Sequence, residues 1–189
     1  MTRSYRQPLS AHQRLKSATF DMHQALERTY PFCLIPNQLT AESSLDALRL
    51  LVHWHESLEI DCHIIKAHRI EDFDLCQQGC PIQSGVETLY ESLGRLYVLI
   101  GSSLGGKMIL KQAMRNNIDL ASPLMSYYAS LNKLHCYWLP LMKKLEQVIS
   151  DSPSSFQYIH KAAEAAFRQL LNQAERLASN KALLTKIAS

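Results

Sequence analysis

Residues 84–117 read SGVETLYESLGRLYVLIGSSLGGKMILKQAMRNN, and this stretch decides the fold class. Leu89, Leu93, Leu96, Tyr97 and Ile100 recur at spacings of three and four, and Met108, Ile109 and Ala113 continue the stripe. That period belongs to an amphipathic helix rather than a strand. Ser84 and Glu87 fit a capping box at its start, and Asn116-Asn117 fits a stop at its end. Three of the six glycines in the chain, Gly101, Gly105 and Gly106, nevertheless fall inside it. Each interior glycine forgoes ~1 kcal/mol relative to alanine, so the cluster gives up about 3 kcal/mol of helix stability. Three physical reasons would offset that loss: a kink, a close backbone approach to a flat partner, or close packing of two helices. The small-xxx-small spacing of Gly101 and Gly105 suits the last.

The rest of the chain divides the same way. Capping chemistry and breakers predict four more helical segments, at roughly 10–30, 40–69, 122–150 and 152–186. Ser10 and Gln13 fit a capping box, Thr40 with Glu42 is a start, and Ser122-Pro123 and Ser152-Pro153 each place serine before a first-turn proline. Pro31 and Pro36 bracket a loop, residues 70–83 read as a connection, and Pro140 is expected to kink or break the fourth segment. The expectation is one all-α, multi-helix domain over residues 1–189, with 1–9 flexible.

Composition agrees. The 189 residues are 47% apolar and 20% charged, which excludes a disordered chain or a coiled-coil rod. No uninterrupted apolar run of ~18 residues exists, so no membrane span is expected. A net charge of +3 is too mild to imply nucleic acid. The charge is unevenly spread. Residues 1–20 hold Arg3, Arg6, Arg14 and Lys16 with no acid, and residues 101–150 hold Lys107, Lys111, Arg115, Lys133, Lys143 and Lys144 against Asp119 and Glu146. A small anion between these regions fits, and so does a solvated surface. Five cysteines and no apolar leader favour a reducing cytoplasm over a disulfide scaffold.

The first predicted helix carries the candidate chemistry. Leu15, Ala18, Met22 and Leu26 form its apolar stripe, and beside it run Lys16, Phe20, His23 and Glu27. An imidazole ligates iron through one nitrogen while a contact at the other sets its tautomer, a role open to Glu27 one turn on. Lys16 is placed to pair with a carboxylate on a large ligand. The plainer reading is a half-buried histidine at a helix seam.

Lys16-Ser-Ala-Thr19-Phe-Asp-Met-His23-Gln-Ala-Leu-Glu27, followed by Tyr97-Val-Leu-Ile-Gly101-Ser-Ser-Leu-Gly105-Gly106, resembles the heme oxygenase family, most closely its bacterial, biliverdin-producing members, including those that serve phytochromes. The resemblance implies a heme held between the first helix and a kinked, glycine-rich distal helix. His23 matches the proximal iron ligand, with Thr19 and Glu27 as its helical neighbours. Lys16 matches a residue that holds the heme propionates, and Lys143 falls near a second such position. Gly101, Gly105 and Gly106 match the distal glycines, and Tyr97 offers a hydroxyl nearby. Ser102 stands where mammalian-type members carry an aspartate that orders water, and Val98 or Leu99 replaces an arginine of that pattern. The implied activity converts heme with O2 to biliverdin, CO and ferrous iron. Electrons would come from ferredoxin, flavodoxin or a flavin reductase, and a phytochrome is a candidate biliverdin acceptor. The distal segment Gly101, Ser102 and Gly105 would carry the catalytic role.

Alternatives follow from the same residues. A family member that binds heme or another tetrapyrrole without turnover, as carrier or sensor, is compatible with Ser102. A helical interaction module with a lost pocket fits less well, because His23 and the glycines are all retained. His55, Glu59 and His63 share a helix face and Cys76 and Cys80 are spaced C-x3-C, but neither set makes a strong metal site. No Glu-x-x-His motif for a carboxylate-bridged di-iron bundle occurs.

Overall fold

The computed structural model describes residues 9–34, 40–57, 89–115 and 135–188, and every regular element among them is helical. Six α-helices are present: α1 (Ala11–Ala18), α2 (Phe20–Arg28), α3 (Ala41–Ser57), α4 (Leu89–Arg115), α5 (Trp138–Asp151) and α6 (Ser155–Ala188). Short 3-10 turns cover Phe32–Leu34 and His135–Tyr137.

The amino-terminal capping box forms as its residues dictate. Ser10 Oγ accepts from the Gln13 backbone at 3.2 Å, and Gln13 Oε1 accepts from the Ser10 backbone at 2.9 Å. The next free amide, that of Ala11, donates at 2.6 Å to Glu146 of α5, so one helix caps another. The predicted first segment is divided at Thr19, whose φ of −99° and ψ of 4° interrupt the helix between α1 and α2. Thr19 Oγ1 donates to the Leu15 carbonyl at 2.9 Å, a back-bond that bends helices. His23 N–H still donates to the Thr19 carbonyl at 3.1 Å, so α2 resumes at once. At the start of α3, Thr40 and Ser43 satisfy each other's backbone amides at 3.1 and 2.9 Å.

Pro140 falls in the first turn of α5, where no amide is required, so a helix boundary stands beside it, directly after the 3-10 turn; the part of the predicted segment before residue 135 lies outside the described residues. One expectation about a helix start is corrected. Ser152 ends α5 instead of capping α6: its N–H donates to Val148 at 2.9 Å, and Ser155 N–H then donates to Ser152 at 2.9 Å. Pro153 occupies the turn between them, and α6 begins at Ser155. Ser84, residues 70–83, Ser122-Pro123 and the start of the fourth predicted segment lie outside the described residues.

The long helices α4 and α6 form the axis of the molecule, with α2 and α3 packed against α6 and α5 against α1 and α4. Leu15, Leu48, Trp54, Leu93, Leu96, Ile100, Leu141, Leu145, Ile159 and Leu170 are fully buried in one contiguous core. The α4–α6 crossing depends on Gly94. A Cβ there would collide with the Ile159 carbonyl and stand 2.9 Å from Ala162 Cβ. Trp54 ties α3 to the same helix by donating its indole N–H to the Ala166 carbonyl at 2.9 Å.

Candidate functional site

Helices α2, α3, α4 and α6, with the turn after α2, enclose a cavity of about 610 Å3. That volume is in the range of small-molecule and cofactor sites, ~300–1,000 Å3. Its apolar wall comes from Leu26, Phe32, Leu51, Trp54, Phe167 and Leu170. Two short arcs supply the polar and open part: His23, Gln24, Glu27 and Arg28 on α2, and Gly101, Ser102, Gly105 and Met108 on α4.

His23 owes its position to the resumption of α2 after Thr19. Its ring lies against Phe167 of α6, with centroids 4.7 Å apart and planes inclined by 58°. The histidine keeps accessible surface and borders the cavity. Burial of the protein-facing side pushes its pKa below 6.5. Glu27 opposes that shift, and Lys16 adds to it. The imidazole is therefore neutral at pH 7, the protonation state in which a ring nitrogen can ligate a metal. It makes no hydrogen bond among the described residues, and Glu27 acts on it only through its charge.

The glycines of α4 now divide by cause. Hydrogen bonding runs unbroken through α4 from Leu89 to Arg115, so the glycine cluster does not end the helix. A Cβ at Gly101 would make ordinary contact with Trp138, at 3.6 Å from Cζ3, and a Cβ at Gly105 would meet nothing within 4 Å among the described residues. Neither glycine is required by packing among the described helices. Gly94 is, and its signal was a lone glycine seven residues upstream of the cluster. What Gly101 and Gly105 do provide is a helix face bare of side chains on the cavity wall. Gly106 follows in the same helix, its surroundings lying outside the described residues. Ser102 Oγ donates to the Leu99 carbonyl at 2.7 Å, so its hydroxyl proton is committed to the helix.

Four expected site residues do not line the cavity. Tyr97 is buried beside Trp138 and His12, at ring-centroid distances of 5.8 and 6.3 Å. Burial pushes its phenol pKa up, with a hydrogen bond to Thr19 opposing, so the Tyr97–Thr19 pair belongs to the interior at the α1–α2 break. Lys16 is exposed on α1, beyond that break. Lys143 is exposed on α5, which packs on α1 and α4, away from the cavity wall. In the converse direction, Gln24 and Arg28 reach the cavity although they drew no attention in sequence. They form an i,i+4 row directly beside His23 and Glu27, which was the available signal.

His55, Glu59, His63, Cys76 and Cys80 fall outside the described positions or side chains. Among the described residues no group of three or more histidine, cysteine or carboxylate side chains could hold a metal ion, and no helix is long and apolar enough to cross a membrane.

Comparison of the chain with known protein families, curated proteins and solved structures finds no match in any of the three. The resemblance of the first and distal helices to heme oxygenases therefore rests on their two motifs.

A heme is compatible with the residues present. A neutral histidine with no hydrogen-bond partner among the described residues, a bare glycine face and a broad apolar wall share one cavity. His23 is the residue that would hold the iron.

Proposed function

We propose that the protein is a heme oxygenase that cleaves heme to biliverdin, CO and ferrous iron in this cavity, on the heme-oxygenase-like arrangement of helices. One observation carries the reading: His23 and the open Gly101–Gly105 face, far apart in sequence, border the same 610 Å3 apolar space. Bound heme supplies the iron that activates O2 and the ring that is oxidised. The chain supplies position and exclusion. His23 offers a neutral lone pair, Phe167 packs against one side of its imidazole, and Glu27 favours positive charge on the ring. Gly101 and Gly105 let a flat ligand approach the α4 backbone, while Trp54, Leu51 and Leu170 keep water from the apolar edge. Electrons would arrive from a ferredoxin, flavodoxin or flavin reductase, for which the basic amino-terminal stretch is a docking candidate.

A second reading is a heme or tetrapyrrole carrier on the same arrangement. Ser102 favours it: this is the only hydroxyl among the described lining residues, and its proton is held by the Leu99 carbonyl.

Visible spectroscopy separates the two. Hemin titrated into the purified protein should give a stoichiometric Soret band that His23→Ala abolishes or shifts. With ascorbate or a ferredoxin system in air, decay of that band with growth of a broad red biliverdin absorption is the oxygenase outcome. A Soret band stable to two different donors is the carrier outcome. A spectrum indifferent to His23→Ala overturns the assignment of the ligand.

A further inference from the structure

Arg28 is the only cation among the described residues that line the cavity. It stands in the last turn of α2, beyond Glu27 and on the far side of His23 from Lys16. One guanidinium nitrogen, Nη2, donates to Gln24 Oε1 at 3.1 Å, and the side chain forms no ion pair among the described residues. Gln24 thus orients the planar fork from one corner and leaves its other donors available. Three other lysines are paired or off the wall. Lys181 pairs with Glu42 at 2.7 Å and Asp46 at 2.9 Å, while Lys16 and Lys143 are not on the wall. Glu27, the one carboxylate on the lining, repels a second anion from the His23 end of the row.

We propose that Arg28 is the anion anchor of the cavity, so that its ligand is an apolar molecule carrying a carboxylate, seated with that group toward the carboxy-terminal end of α2. A hydrocarbon space bordered by an oriented guanidinium that forms no ion pair among the described residues is complementary to that chemistry. The proposal rests on the reading of this cavity as the ligand site, and it reverses the expectation that Lys16 receives the ligand's carboxylates. Both a propionate-bearing tetrapyrrole and a long-chain fatty acid carry the group.

Calorimetric titration of the full chain with iron-free protoporphyrin and a long-chain fatty acid, each beside its methyl ester, tests the anchor without iron or turnover. The wild type is expected to bind at least one of the acids more tightly than its ester. Arg28→Ala should weaken the acid about tenfold, or ~1.4 kcal/mol, and erase the preference for acid over ester. Arg28→Lys should restore most of that preference. Binding of the porphyrin acid alone identifies the tetrapyrrole source. Binding of the fatty acid alone keeps the anchor and sinks the heme reading. The anchor is overturned if Arg28→Ala leaves acid affinity unchanged, if it weakens acid and ester equally, or if the wild type binds neither acid.

Discussion

Neutral imidazole is the form of histidine that ligates iron, and burial, the largest influence on His23, favours that form further. The neighbouring charges act in opposite senses, which makes the assignment testable by NMR titration. The His23 pKa should fall below 6.5, drop further in Glu27→Gln, and rise in Lys16→Met. The same shift has a consequence for folding. Because the folded value lies below the unfolded one, the unfolded chain binds the proton more readily, and stability from His23 is complete above pH 6.5 and declines as pH falls below it. His23→Gln should therefore unfold with a weaker acid dependence between that value and the folded pKa. At this scale the sequence revealed His23 and Glu27 because they formed a row beside an apolar stripe. Arg28 was hidden because a basic residue in the last turn of a helix already has an ordinary explanation in the helix dipole.

At the scale of the element, α4 holds glycines with opposite duties. A Cβ at Gly105 would touch no described residue, so Gly105→Ala should stabilise the fold by about 1 kcal/mol, raising Tm by roughly 2–4 °C for a chain of this size. Gly94→Ala should do the reverse, costing about 1–3 kcal/mol, since the α4–α6 contact must open to admit a methyl group. Paired melting curves distinguish them, and a stabilising Gly94→Ala would contradict the crossing described. Gly105→Leu should reduce ligand turnover more than it weakens binding. Periodicity alone showed that α4 was a helix, but it could not separate these glycines, because their difference lies in what a Cβ would meet on other elements. The same limit explains Ser152. Local chemistry identified a helix end near it, while the exact turn was set by which amide, at Ser152 and Ser155, found which carbonyl. Thr19 stays a helical neighbour of His23, and its back-bond to Leu15 also divides the first helix there, which no local pattern announced.

Across the whole molecule, the far end of α6 is tied to the cavity wall through one charged cluster. Lys181 contacts Glu42, Asp46 and the Tyr30 hydroxyl, and Tyr30 donates to Asp46 Oδ2 at 2.7 Å. Burial pushes the Asp46 carboxyl up, but hydrogen bonds from Lys181 and Tyr30 outweigh it and hold the group below the usual carboxylate value. Its contribution is therefore present above an unfolded pKa of 3.8 and lost as pH falls through the lower folded value. Tyr30 leads directly into Phe32, which lines the cavity. Asp46→Asn should lower Tm only modestly, in keeping with a partly exposed ion pair, yet weaken ligand affinity by freeing the Phe32 turn. Hydrogen exchange over residues 29–34, with and without ligand, checks this, and unchanged protection there would separate the cluster from the site. Composition and capping made the all-helical class legible, but this long-range cluster joins residues from three helical regions that no local pattern relates.

The chain has two tryptophans, one in the cavity wall and one packed behind it against Gly101. Trp54 is fully buried in the cavity wall, and Trp138 lies next to Gly101. The protein thus carries its own fluorescence donors where a coloured guest would enter. A ligand absorbing in the near ultraviolet should extinguish nearly all of the intrinsic emission by energy transfer, and occupancy can be followed by light without attaching any label.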